Sequence, residues 1–539
     1  MFVAIIICLL LFSPAIVDTN AKTITVGEAG EYRSIQQGID RAGDGDTVLV
    51  GSGTYHENLN VNKQLIIKGI DDGNGYPIVC GNGPGCTIGI RSGGTRIEGL
   101  RVTGTDSKGT GIGVYSDGNT ILGCVVSGNR LGIQVSDSRL NTITSNDLSD
   151  NYIGIDLNRS DNNMIADNVV NSNSFHGLKL YASAGNSILD NVACYNSDDA
   201  ISLEQASDNN LISGNNVSFN ALSSIEFENK NAISIYLSDG NVVSNNLLKL
   251  NGGTVARDGG AHIYRLGDGV QLKNTRDCVV KDNVMIDDHY AVWIDDSENA
   301  TVTGNTASGE YYNIIVENSR DCLVADNVLS NGGRNLRLLN AHHCTLRNNT
   351  MSGGMYDITL TDSWYNTIEN CTWGDSAPGY QSLWLSNSSY NTLTRNTAHD
   401  NGRGIWLESS ANNRLYLNDF LDGIYSASQN NFWSTPGPET YQYNGRTYTG
   451  YLGNRYGDYG GHDVNGDGLG EIPYTQNGVA DQYPLTGAVT DFLIPPPVPE
   501  PSPTSLSTPG PVVTPEPASP DLWQWLGMQL KTWLQYLHF

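Results

Sequence analysis

"NTITSNDLSDNYIGIDLNRSDNNMIADN" (Asn141–Asn168) sets the period of the whole chain. It opens on a hexad, Asn, two mostly β-branched or apolar residues, two variable ones, then Asn, and closes on the same hexad 22 residues later, at Asn163. Gly154–Leu157, "GIDL", lies between the two. Further hexads begin at Asn119, Asn186, Asn210, Asn241, Cys278, Ala300, Cys322, Cys344, Asn366, Asn391 and Asn413, and most steps are 22 residues. Short alternating segments bounded by Asn, Gly and Ser at this period predict coils of a parallel β-solenoid. Leucine-rich repeats need a Leu-x-x-Leu-x-Leu frame, which is absent, and propeller blades need about twice the length. The expected fold is all-β, a right-handed, single-stranded parallel β-helix of about 22 residues per coil.

Stacked coils put equivalent residues in columns about 4.8 Å apart. Asparagines in a column are expected to point inward and bond amide to amide up the stack. Cys278, Cys322 and Cys344 take the first Asn position and Cys124 and Cys371 the second, where a small buried residue packs. Cys80 and Cys86, in "VCGNGPGCT", are candidates for a small disulfide. The net charge is −27. Such a surface repels phosphate backbones, so nucleic acid is not an expected partner. Residues 1–21 read as an apolar export signal, with a short membrane anchor as the alternative. The expected location is therefore secreted or cell-surface.

A solenoid must cap its first coil. Residues 22–78 supply a strand at Ile24–Val26, a helix N-cap at Ser34, and Ile35, Ile39 and Ala42 on one helical face. Repeats follow over 79–430. This opening resembles the cap of parallel β-helix proteins of the pectin-lyase-like group, especially the NosD-like, carbohydrate-binding-and-sugar-hydrolysis (CASH) type. Residues 431–487, with "NRYGDYGGHDVNGDGLGEIPY", resemble the terminal module of NosD-like surface proteins of archaea and bacteria. The resemblance spans about 23–487. It implies the fold and leaves activity open, because such solenoids host lyases, hydrolases, epimerases and adhesins. In that module Asp463, Asn465 and Asp467, with Gly468, match the first half of a calcium loop. Tyr474 stands where a bidentate Glu belongs, with Glu471 or Asp481 as the candidate substitute ligand, making Ca²⁺ the candidate cofactor. Residues 488–520 form a Pro-rich linker. The amphipathic tail at 521–539 is suited to docking on a membrane surface or a protein.

Alternation in the Gly-Ile-x-Leu strand sends Ile and Leu inward and x outward. Outward columns then carry the candidate substrate-binding residues Asp199, Glu204, Glu226, Asp268, Lys273, Tyr290, Trp293, Asp295, Tyr312, Arg334, Arg337, Trp384 and Trp406. Ile233–Leu237 is an alternative source for the strand assigned to the Glu226 coil. Two lengthened coils, of 31 and 37 residues from Asn210 and Asn241, read as a wall beside this face. Aromatic faces pack on sugar rings and charged groups bond hydroxyls or carboxylates. The leading expectation is binding of an extended polysaccharide or cell-surface glycan. An alternative is a uronate lyase or epimerase, with His176, Lys179, Tyr181, His262 and Arg265 as catalytic candidates. Further alternatives are a structural or adhesive spacer, a hydrolase using Asp198 and Asp199, and a copper-related accessory role with "HHC" at His342–Cys344 as the candidate ligands.

Overall fold

The computed structural model describes residues 21–494, apart from 84, 105–107, 223–229, 253, 258–261, 266 and 401–403, with backbone alone at 254–257 and 262–265. Residues 1–20 of the expected leader over 1–21, the chain from Pro495 and the tail at 521–539 lie outside the described residues.

Each hexad is a short strand of a 17-stranded first sheet, in which Thr142–Thr144 pairs in parallel with Met164–Ala166. Each Gly-Ile-x-Leu segment is a strand of a 16-stranded sheet, here the third, in which Ile153–Asn158 pairs with Leu178–Tyr181. Between them in chain order run shorter strands, gathered into sheets of four and ten. In the coils between these two groups, single bridges such as Asp147↔Val169 continue the pairing. The chain is the parallel β-helix that its period predicts. Alternation fills the interior: Ile143, Ile155, Leu157, Ile165, Leu178 and Leu180 are fully buried and stack coil on coil.

The asparagine columns turn inward and bond along the axis. Asn141 donates from Nδ2 to Asn163 (3.0 Å), Asn163 to Asn186 (3.0 Å), and Asn186 to Asn210 (3.1 Å). A second ladder runs from Asn146 through Asn168 and Asn191. A third, from Asn129 through Asn151 and Asn173 to Asn251, was not among the expected columns. Each side-chain oxygen also accepts the backbone N–H of the preceding coil's asparagine, so buried turns have their donors satisfied. Serines do the same at another corner, Ser138 to Ser160 to Ser183 to Ser207. Corner residues adopt left-handed backbone, as at Asp137 (φ 51°), Asn274 (φ 53°) and Asn318 (φ 48°), which Asn and Asp tolerate best among residues with a Cβ.

The cap forms as read. The helix Ile35–Arg41 begins at Ser34, whose side chain accepts from the Gln37 N–H, and buries Ile35 and Ile39. Glu57 adds a carboxylate to the same end, accepting from the Ile35 and Gln36 N–H groups.

The Cys80–Cys86 disulfide is not formed. Cys80 ends a strand of the second sheet group and Cys86 begins a strand of the third, and both are free thiols. Cys86 Sγ instead lies 3.0 Å from the Tyr115 hydroxyl. The C-terminal module is built on the hairpin Glu439–Tyr443 and Arg446–Gly450. It extends past the expected boundary at 487, because Val489 and Phe492 are buried in its core with Tyr441, Leu452 and Leu485. The compact body therefore ends at Ile494.

Candidate functional site

The third sheet holds its outward residues in one register: Gln134, Asp156, Lys179, Ser202, Ser234, Gln271, Trp293, Ile315, Arg337, Thr359, Trp384 and Trp406 follow one another coil by coil. Ser234 enters because Ile233–Tyr236 supplies that strand, which corrects the placement of Glu226; Glu226 itself lies outside the described residues. The row is not uniformly open. Ser202, Ile315 and Thr359 are buried, whereas Asp156, Lys179, Trp293, Arg337, Trp384 and Trp406 are half-exposed.

Toward the N-terminal end of this row lies a cleft of about 510 Å³. Lys108, Arg130 and Lys179 bring three cations to it, with Tyr152, Tyr181, Gln134, Asp156 and Asn158. Burial raises the Asp156 carboxyl above its usual range, and a hydrogen bond from Gln134 and the charge of Lys179 work against this. Lys179 Nζ is 3.0 Å from Glu204 Oε1. Lys108, Arg130 and Tyr152 were not among the expected site residues. Their signal is positional, since Arg130 and Tyr152 stand just before third-sheet strands one coil apart.

The turn leading into the same sheet carries a second cluster. His176, Asp198 and Asp199 come from successive coils and each offers one ligand atom, all within 4.8 Å of one another. His176 is buried against Phe175 (ring centroids 3.9 Å apart), not on the outer face, and its Nδ1 has no hydrogen-bond partner. Burial, aided by the charge of Lys179, lowers its pKa to about 4. Burial raises Asp199 to about 8, with Asp198, Glu204 and Asp268 adding to the rise and the hydrogen bond from the Asn231 N–H opposing it. Asp198 is also raised by burial, against the pull of Lys230. Both lengthened coils expand at this turn, between Asn216–Ser218 and Ile233–Tyr236 and between Leu247–Lys249 and Val270–Lys273. The second includes an antiparallel hairpin, Thr254–Arg257 with His262–Arg265. It carries His262 and Arg265, whose side chains lie outside the described residues.

Several expected binding residues are buried or engaged by other side chains of the protein. Asp268 is fully buried, 3.3 Å from His289 Nδ1. Asp295 is buried and paired with Lys273 at 3.0 Å. Tyr312 is buried, and its hydroxyl accepts from Arg334 (2.8 Å) and Arg337 (3.1 Å). Arg334 lies between the Tyr312 and Tyr356 rings. Aromatic faces are largely spent on one another, with Tyr290 on Tyr312 at 5.1 Å, Tyr356 on Trp384 at 5.9 Å and Trp406 on Tyr425 at 4.0 Å. Trp293 donates from Nε1 to Glu317 (3.2 Å). A larger cleft of about 620 Å³ lies at the next corner, but its arginines, Arg276 and Arg320, are both paired with Glu298, at 3.7 and 2.8 Å.

The Asp463 loop closes on itself. Asp463 accepts the N–H groups of Gly466, Asp467 and Gly468. Asn465 donates to Asp467 Oδ2 at 3.0 Å, and Asp467 Oδ1 accepts from the Leu469 N–H. Glu471 is exposed, and its carboxylate does not gather with those of Asp463 and Asp467 into a group of three.

A sequence profile of the family described as periplasmic copper-binding protein (NosD) matches residues 57–260 and 253–461. The chain belongs to the NosD family. The family description implies copper. His342, His343 and Cys344 do not converge: Cys344 is buried with Sγ toward the His342 carbonyl, while His342 stacks on Trp364 and His343 on Tyr365. His176, Asp198 and Asp199 converge, and as one nitrogen and two oxygen donors they suit divalent ions, Cu(II) included, and not the thiophilic Cu(I). No curated protein matches the sequence. Among solved structures, the catalytic domain of a GH87 α-1,3-glucanase in complex with tetrasaccharides is similar at 14% identity, covering 66% of this chain and 68% of that one, with a TM-score of 0.38. The mannuronan C-5 epimerase AlgE4 A-module of Azotobacter vinelandii is similar at 15% identity, covering 69% and 92%, with a TM-score of 0.31. A PL6 alginate lyase in complex with a trisaccharide is similar at 12% identity, covering 80% and 91%, with a TM-score of 0.36.

Proposed function

We propose that this NosD-family β-helix is an extracytoplasmic protein that binds an extended, acidic polysaccharide along the outer face of its third sheet. The observation that carries this is the cleft of about 510 Å³ lined by Lys108, Arg130 and Lys179 in a chain of net charge −27. Three cations gathered on one open face of an acidic protein, Lys179 among them already paired with Glu204, suit a ligand that brings carboxylates or sulfates. Tyr152 and Tyr181 offer ring surface beside them, and Gln134 and Asn158 offer amides for hydroxyls. The cleft spans several coils of one register, from Gln134 through Asp156 to Lys179, which suits an extended ligand better than a compact one. The periplasmic description of the family and the apolar leader support the location.

Calorimetric titration with polygalacturonate and alginate oligomers tests the reading, with a neutral glucan as control. The acidic oligomers are expected to bind, more weakly as salt rises, and Arg130→Ala should weaken binding with little change in Tm. Equal affinity for the neutral glucan, or no effect of Arg130→Ala, would reject the site. Appearance of an ultraviolet-absorbing unsaturated uronate during the same incubation would add lyase activity to binding.

A further inference from the structure

The turn before the third sheet holds a group of donors for which acidic-glycan binding has no use. His176, Asp198 and Asp199 offer ligand atoms within 4.8 Å of one another. Clustered acidic groups alone mean little; the histidine distinguishes this cluster. His176 is 5% exposed, and its Nδ1 is buried without a hydrogen-bond partner. A buried polar atom left unpaired is costly, and folds rarely keep one without a use.

The carboxylates are held in place and keep oxygens free of those holding bonds. Asp198 accepts the Asp199 N–H at Oδ1, and Asp199 accepts the Asn231 N–H at Oδ1. The Oδ2 atom of Asp198 faces only a loose partner, Lys230 Nζ at 3.9 Å. Lys179, the other nearby cation, is engaged by Glu204 at 3.0 Å. The donors sit on the turns just before the strands, and these turns are hydrogen-bonded coil to coil, the Asp198 N–H to the Phe175 carbonyl (3.2 Å) and the Gly177 N–H to the Asp199 carbonyl (3.3 Å), which sets their spacing.

We propose that His176, Asp198 and Asp199 form a binding site for a divalent first-row transition-metal ion. One imidazole nitrogen with two carboxylate oxygens is a borderline-hard donor set, suited to Zn²⁺ or Mn²⁺. Three protein ligands leave a coordination position for water or an oxygen of a bound molecule, the pattern of reactive and not purely structural sites. Lys230 then acts as the resident counter-charge that the ion displaces. This site stands whether or not the neighbouring cleft binds glycan.

Zn²⁺ titrated calorimetrically into chelator-stripped full-length protein is the direct test. One Zn²⁺ per chain is expected, with a rise in Tm. Asp198→Asn and His176→Gln, each shown to unfold cooperatively, should weaken binding at least ~10-fold, the loss that even an outer-shell partner's removal brings. Lys230→Ala should preserve or tighten binding. If His176→Gln fails to fold, Asp198→Asn at its half-exposed position decides the question. Absence of saturable Zn²⁺ binding, or binding undiminished in Asp198→Asn, would overturn the site.

Discussion

Glu310 shows how much a single residue's chemistry can be set by its column. The parallel register Met285↔Ala307 places it one coil after Asp288, which itself accepts from Asn251 at the end of the third asparagine ladder. Glu310 is buried, and neither of its carboxyl oxygens has a hydrogen-bond partner. Burial, with Asp288 adding to it, raises its pKa from 4.5 to about 9, so the folded protein holds it protonated at neutral pH. The unfolded chain releases that proton near the ordinary value. Glu310 therefore favours folding fully below about pH 4.5, and the contribution is lost as pH rises toward about 9. Tm should fall across this window, and Glu310→Gln, which carries no titratable proton, should show a shallower fall. Parallel melting curves for the two proteins across the window check this; superimposable slopes would mean the carboxyl finds a partner when ionised. Asn→Asp→Glu along a column is visible once coils are aligned, but its burial is not, because sequence alone does not say which corner faces inward.

At the scale of an element, the coil rather than the strand is the unit, and this is why so much of the fold was legible. A short strand such as Thr142–Thr144 carries little propensity of its own, yet its hexad recurs at a fixed step, and only stacking satisfies a recurrence of that kind. The ladders follow from the same repetition. Asn163 donates to Asn186 and accepts from both the backbone N–H (2.9 Å) and the side-chain amide (3.0 Å) of Asn141. Asn163→Leu removes the acceptor for two buried donors, at about 1–3 kcal/mol for each. A clear drop in Tm is expected with glycan affinity unchanged, read by thermal melting and calorimetry on the same sample; loss of affinity at unchanged Tm would contradict a purely structural role. The site was less legible for a physical reason. Alternation says which side chains leave the barrel wall, and it correctly sent Lys179 and Trp406 outward. It does not say what they meet there. Tyr312, expected as an open aromatic, accepts at its hydroxyl oxygen from Arg334 and Arg337 on the next coil and stacks on Tyr290 of the preceding one. His176 and Asp268 sit at the corner before the strand, where alternation has ended and side chains turn inward.

Across the whole molecule, the solenoid must end as well as begin, since an open last coil would leave unpaired strand edges and bare core. The helix Ile35–Arg41 closes one end. At the other, Asp419 and Phe420 pair with Arg455 and Tyr456, which carries the terminal module onto the last coil. The module's own core then recruits the segment after 487. Phe492 is 1% exposed against Tyr441 and Tyr443, Leu493 exchanges backbone hydrogen bonds with Gln442, and the Val489 N–H donates to Asp419. The boundary drawn from composition falls at 487 because Pro, Ser and Thr dominate further on, and a composition shift cannot register a few apolar residues packed just ahead of it. These contacts make the two boundaries separable by experiment. A chain ending at Ile494 should melt within a few degrees of the full-length protein. A chain ending at Gly487 loses Val489 and Phe492, and removing a buried Phe side chain alone costs about 3–5 kcal/mol. That chain should unfold at lower temperature, its module first, as followed by the near-ultraviolet signal of the tyrosines packed there. Equal melting of the two truncations would show that the segment 488–494 is not part of the cap.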